Sequence, residues 1–136
     1  MTKKEKRYFE IAKSISQLSK FNRIKIGCIV VLKHEILSTG YNKTKSHPLQ
    51  KQLNIYRFNE LDTCKHRIHA EMDALIKIDP SIDLSNAIIY VYRENKFGIQ
   101  MSRPCEACMA EIKRRGIKTI YYTTPDGYAK EYIPTA

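Results

Sequence analysis

Long apolar runs are missing from this chain of 136 residues. The longest free of tyrosine, residues 28–32, falls far short of the ~20 residues that a membrane-spanning helix needs, so no membrane partner is expected. Residues 1–7 are basic, but no apolar stretch follows them, which argues against a secretory signal peptide. Cysteine is scarce as well: four thiols in a chain without a secretion signal read as thiolates and core residues, not as a disulfide framework. A cytoplasmic protein is the expectation. Repeats and low-complexity segments are absent, and charged residues make up 28%, which speaks against the fibrous and disordered classes.

Acidic residues are the minority charge. Fourteen Asp and Glu stand against 24 Lys and Arg, a formal net charge of +10. Denser basic groups lie at Lys3, Lys4, Lys6 and Arg7, at Lys20, Arg23 and Lys25, and at Lys113, Arg114 and Arg115. Such an excess attracts phosphates, on a nucleotide or along a nucleic acid; a solvated basic surface accounts for it equally well. With 43% hydrophobic residues, the chain is long enough for one domain with a core, residues 1–136, and too short for two.

Tyr8, Ile11, Ala12, Ile15 and Leu18 are spaced as one helix face over residues 3–19, with Thr2 as N-cap. Ile24, Ile26, Cys28 and Val30 alternate, but Ile29 and Val31 are apolar too, which suits a strand buried on both faces. A turn at 33–35 leads to a second strand at 36–41, forming a hairpin. From 42 to 68 the periodicity disappears, as in a functional or oligomer-forming loop, with room for a short helix around 53–61. A second helix is expected at 69–78, ended by Pro80. Residues 87–92 are β-prone enough for a central strand, and Gly98 marks a turn. A third helix at 105–115 is entered at Pro104 and closed by Gly116. Residues 117–123 form a further strand, the turn Thr124-Pro125-Asp126-Gly127 follows, and 128–133 return as an antiparallel partner. The order implies an α/β fold, one mixed sheet of about five strands flanked by helices.

Two short segments carry the chemistry: His69-Ala70-Glu71, and Pro104-Cys105-Glu106-Ala107-Cys108. Each opens a predicted helix. Cysteines three apart in a first turn face the same way, and a helix N-terminus favours thiolates. His69, Cys105 and Cys108 are three good zinc ligands, and a site with three protein donors leaves its fourth position to water. Glu71 would then move protons between an acidified water and a leaving group. His69 and Glu71 diverge by about 200° inside a helix, but at the first turn, where the chain is still entering, both can reach one point.

His-x-Glu followed by Pro-Cys-x-x-Cys resembles the signature of the zinc nucleobase deaminases. Gly40-Tyr41-Asn42 at the end of the second strand is similar to a Gly-x-Asn of cytidine and deoxycytidylate deaminases. The resemblance implies a three-layer α/β/α cytidine deaminase-like fold with one zinc per chain on His69, Cys105 and Cys108, and Glu71 as the catalytic residue. It also implies that Asn42 contacts the sugar or base, that the backbone of Ala70 helps hold the ring, and that Arg103 is a further substrate contact. The implied reaction turns cytosine into uracil in a free nucleotide or nucleoside, deoxycytidylate to deoxyuridylate plus ammonia above all. The alternative substrate is cytosine or adenine within single-stranded DNA or RNA, and relatives of this fold commonly form homo-oligomers. Three features differ from the pattern: the stretch between the second strand and His69 is longer than in adenosine deaminases acting on transfer RNA, residues 95–101 lengthen the approach to the cysteines, and the antiparallel last strand is closer to nucleoside deaminases.

Plainer readings stand beside these. A structural zinc knuckle, on a catalytically inert binding module, would use the same three ligands but leave Glu71 unexplained. Cys28 lies in an apolar strand and suits core packing. Cys64, His66 and His47 are spaced so that they could bind a second metal, although loop residues of these types are usually solvated or packed. Tyr90, Tyr92, Tyr121 and Tyr122 belong to the sheet and its faces.

Overall fold

The computed structural model describes residues 2–21, 23–43 and 69–134. The expected long loop after residue 43, its short helix at 53–61 and the second-metal candidates His47, Cys64 and His66 lie outside the described residues.

Helix α1 spans Lys3–Ser16 and starts where a local signal tells it to. Thr2 Oγ1 accepts the Glu5 amide at 3.1 Å, and Glu5 Oε1 accepts the Thr2 amide at 2.9 Å, a reciprocal capping box. The helix ends three residues before the expected 19. The amides of Leu18 and Ser19 turn to the carbonyls of Ile15 and Ser16, three residues back, which tightens the chain beyond the last α-helical turn, and Leu18 is left 56% exposed. Its apparent place on the apolar face is a coincidence of spacing.

Strands β1 (Lys25–Leu32) and β2 (Glu35–Tyr41) form the expected hairpin. Lys33 and His34 both take positive φ, 52° and 67°, the twist a two-residue hairpin turn prefers even without Asn-Gly. Helix α2 (Ala70–Ile76) follows, then β3 (Ile88–Asn95), the short β4 (Gly98–Ile99), helix α3 (Glu106–Arg114), β5 (Thr119–Thr124) and β6 (Gly127–Tyr132). The sheet runs β2-β1-β3-β5-β6, with β4 paired to β3. Among the described strands only β3 and β5 are parallel, joined through α3, and the last strand is antiparallel to β5 as expected.

Alternate residues of the central strands feed two separate cores. Ile29, Val31, Tyr90, Tyr92 and Tyr121 meet Tyr8, Phe9 and Ala12 of α1 on one face. Cys28, Val30, Ile89, Val91 and Ile120 meet Ala70, Ala74, Leu75, Met109 and Ile112 of α2 and α3 on the other. This is the physical meaning of an apolar residue at every position: both faces are covered, and each fully buried Ile, Val or Leu contributes about 1.5–3 kcal/mol. Three layers result, with α2 and α3 side by side on one face.

Candidate metal and catalytic site

The two motif segments converge because each ligand sits at a helix entrance on the same face of the sheet. His69 is the N-cap of α2, extended at ψ 158°, and Cys105 is the N-cap of α3, extended at ψ 169°; neither side chain caps its helix. Instead, His69 Nδ1 lies 3.4 Å from Cys105 Sγ and 3.3 Å from Cys108 Sγ. Because His69 precedes the first helical residue, the angular conflict with Glu71 does not arise. Glu71 follows in the first turn of α2 and is 5% exposed.

The donor set fits zinc. One imidazole nitrogen and two sulfurs lie within 4.8 Å of one another, and a tetrahedral zinc at ordinary bond lengths separates nitrogen and sulfur donors by about 3.5 Å. Both thiols would lose their protons to solvent on binding such an ion. A hydrogen bond from Cys108 is the main force holding the Cys105 thiol down at about 4, helped by His69 and opposed by burial. Donating that bond, together with burial, pushes Cys108 well up. Burial also raises the Glu71 carboxyl above its ordinary value, with His69 pulling the other way.

Asn42 leaves the end of β2 with its carboxamide engaged. Oδ1 accepts the Ile26 amide at 2.9 Å and Nδ2 donates to the Ile24 carbonyl at 3.0 Å, leaving one N–H and one lone pair for anything else. Ala70, fully buried, presses its carbonyl onto Gly40 of β2. Arg103 sits on exposed chain just before Pro104, but its guanidinium forks onto Glu131 of β6 at 2.9 and 3.0 Å. Cys28 is in the core beneath α2, as expected.

Two anchoring residues have almost no signature in the sequence. Asp73, 2% exposed, accepts the Tyr41 amide at 3.2 Å and pairs with Lys43 at 2.9 Å and Lys77 at 3.4 Å. It pins the end of β2 to α2, and its only sequence signal is its i,i+4 spacing from His69 and to Lys77. Arg115 donates from just beyond α3 to the carbonyls of Leu75, Ile78 and Asp79 at 2.9–3.3 Å, tying the C-terminal ends of α2 and α3 together. That is a long-range contact with no local signature.

Residues 2–124 match the family described as the cytidine and deoxycytidylate deaminase zinc-binding region. The chain belongs to this family. Among its relatives, a deoxycytidylate deaminase of Schizosaccharomyces pombe is 29% identical over 125 residues, 86% of this chain and 36% of that protein. A probable deoxycytidylate deaminase of Caenorhabditis elegans is 28% identical over 125 residues, 88% of this chain and 57% of its own length. The chain thus spans from about a third to little over half the length of these two deaminases. The dCMP deaminase of cyanophage S-TIM5, solved in complex with dCMP and dUMP, superposes with a TM-score of 0.65 at 27% identity, covering 91% of this chain and 84% of that one. Cytidine deaminase from Burkholderia pseudomallei shares the fold, with a TM-score of 0.65 at 16% identity over 97% of this chain and 93% of that one. The cytidine deaminase-like architecture therefore holds, and zinc is this family's metal. No helix among the described residues is long and apolar enough to cross a membrane.

Proposed function

We propose that this chain is a zinc-dependent hydrolytic deaminase converting deoxycytidylate to deoxyuridylate and ammonia, with residues 1–136 forming one catalytic domain. The observation that carries this reading is the burial of Glu71 beside a three-donor metal site. A structural zinc site takes four protein donors and has no use for an adjacent buried acid. The choice of deoxycytidylate draws on the two deoxycytidylate deaminases among the relatives and on the phage enzyme solved with dCMP and dUMP.

His69, Cys105 and Cys108 would hold the zinc, which when bound acts as a Lewis acid that readies water for attack near neutral pH. In the reaction the oxygen of water bonds to C4 of cytosine and the C4–amine bond breaks. Of the two protons of water, one ends on ring N3 and the other on the departing ammonia. Glu71 carries them in turn, and its raised pKa lets the carboxyl keep a proton between transfers. Asn42 meets the sugar or base with its remaining hydrogen-bonding capacity, and the Ala70 backbone lies along the ring. Arg103 reaches a substrate only by releasing Glu131.

The test is a side-by-side assay of deoxycytidylate, deoxycytidine, cytidine, and cytosine- and adenine-containing oligonucleotides. Deoxycytidylate should show the highest kcat/KM; absence of turnover on every cytosine compound would sink the reading. The net charge of +10 favours one second reading, deamination of a base within a single strand. That reading requires preference for longer substrates and a steep loss of binding with salt. We place the protein in the cytoplasm as a homo-oligomer, an assembly supported by β2 and β6 at the two edges of the sheet among the described residues and measurable by light scattering.

A further inference from the structure

The parallel ladder between β3 and β5 stops at Val91 and Tyr122. Beyond that point the chain that will become α3 threads between the two strands. Residues 95–101 turn back through β4, and the amide of Ser102 donates to the Thr123 carbonyl at 2.9 Å. The Ser102 hydroxyl donates to the Val91 carbonyl at 2.8 Å and accepts the Thr123 amide at 2.7 Å. One side-chain oxygen thereby joins the last residue of β3 that pairs with β5 to the first residue of β5 beyond their ladder. The Thr123 hydroxyl lies 2.7 Å from the Gln100 carbonyl and 2.9 Å from Ser102 Oγ, its single proton serving these two acceptors, and it accepts the Arg93 amide at 3.3 Å. Both side chains are buried, 4% and 0% exposed.

Three residues after Ser102 comes Cys105. The longer approach through residues 95–101 gives the cysteine-bearing segment more ways to sit, and the Ser102–Thr123 clasp is where that freedom ends. We propose that Ser102 and Thr123 are positioning residues that set Cys105 for the metal. The proposal rests on the deaminase reading of the site, although its own readout is metal binding. Outer partners that orient ligands are typically worth 10- to 100-fold in metal affinity.

The experiment compares zinc affinity, by competition with a chromophoric chelator, and the visible spectrum of the cobalt(II)-substituted protein across wild type, Ser102→Ala, Thr123→Val and Thr123→Ser. Circular dichroism monitors the fold. Ser102→Ala and Thr123→Val should stay folded, bind zinc at least about tenfold more weakly, and show altered cobalt d–d bands. Thr123→Ser keeps the hydroxyl and should match wild type in both. If Ser102→Ala does not fold, the Thr123 pair decides alone. Wild-type affinity and spectrum in Thr123→Val overturn the proposal. So does loss of fold in both hydroxyl-deleting variants, because the clasp then holds the sheet and not the site. A wild-type protein that takes up neither zinc nor cobalt overturns the metal site itself, a distinct result.

Discussion

A Cβ on Gly40 would stand 2.3 Å from the carbonyl oxygen of Ala70 and 2.5 Å from the amide nitrogen of Ala74. Both are backbone atoms of α2, which cannot give way singly. The helix lies flush on β2 because residue 40 has no side chain, and His69 is the residue immediately before Ala70. Ser38, two positions earlier on the strand, donates its hydroxyl to the Ala74 carbonyl at 2.8 Å, and Asp73 holds the Tyr41 amide. The distance between sheet and helix, and with it the place of the imidazole, is thus set over one turn of α2.

Gly40→Ala should therefore lift α2 from the sheet. Overpacking of this kind costs about 1–3 kcal/mol, and moving His69 should weaken zinc binding in the same variant. Thermal unfolding and chelator competition measure the two effects. An unchanged melting midpoint would show that α2 adapts without strain.

Asn42→Ala tests whether that side chain serves substrate, structure or both. Its carboxamide satisfies the Ile26 amide and the Ile24 carbonyl at the start of β1, so the variant should lose about 1–3 kcal/mol of stability from polar groups left unpaired. If it also contacts the sugar, KM for deoxycytidylate should rise while zinc content stays at wild-type level. A stability loss with unchanged kinetics would confine Asn42 to the strand bridge.

The Arg103–Glu131 fork makes a prediction about pH. The hydrogen bond from Arg103 is the main cause that holds the Glu131 carboxyl below 4.5, its ordinary value. A depressed folded pKa adds stability above the unfolded value, and that stability is lost as pH falls through the folded value. Both side chains are partly exposed, so Glu131→Gln should cost at most about 1 kcal/mol at neutral pH. The gap to wild type should close in acid. Urea unfolding in both conditions measures it, and a gap that persists in acid would assign the effect to packing of Glu131 instead.

Much of this molecule is written in local chemistry. The Thr2 cap, the β1–β2 hairpin, the crossover helix after Pro104 and the antiparallel return after Gly127 all follow from residues within a few positions of each element. The metal trio is legible because His69 and Cys105 stand next to helix starts, where side chains project forward off the end of the helix. Leu18 misleads because spacing alone carries no information about where the last hydrogen bond falls. Ser102, Thr123, Asp73 and Arg115 are silent in the sequence because their partners lie far along the chain, and the engagement of Arg103 by Glu131 is hidden for the same reason.

Glu71 is where the proposed chemistry is most exposed to test. Zinc can acidify water unaided, but deamination must also protonate ring N3 and a poor leaving group. General acid–base help of this kind is typically worth ~10² to 10⁴ in rate. Glu71→Gln preserves shape and hydrogen bonding at a residue only 5% exposed, yet cannot relay a proton. The variant should fold, keep its zinc, bind deoxycytidylate and turn it over ~10² to 10⁴ times more slowly. Because burial disfavours the charged carboxylate, replacing it by the neutral amide should cost no stability. Cys105→Ala supplies the contrast: it removes a ligand, so zinc should be lost and activity with it. Zinc content by elemental analysis, beside single-turnover kinetics, separates the two roles. Near-normal turnover in Glu71→Gln would remove Glu71 from the proton path. Loss of zinc in that variant would make Glu71 a metal ligand, and the site would then be structural.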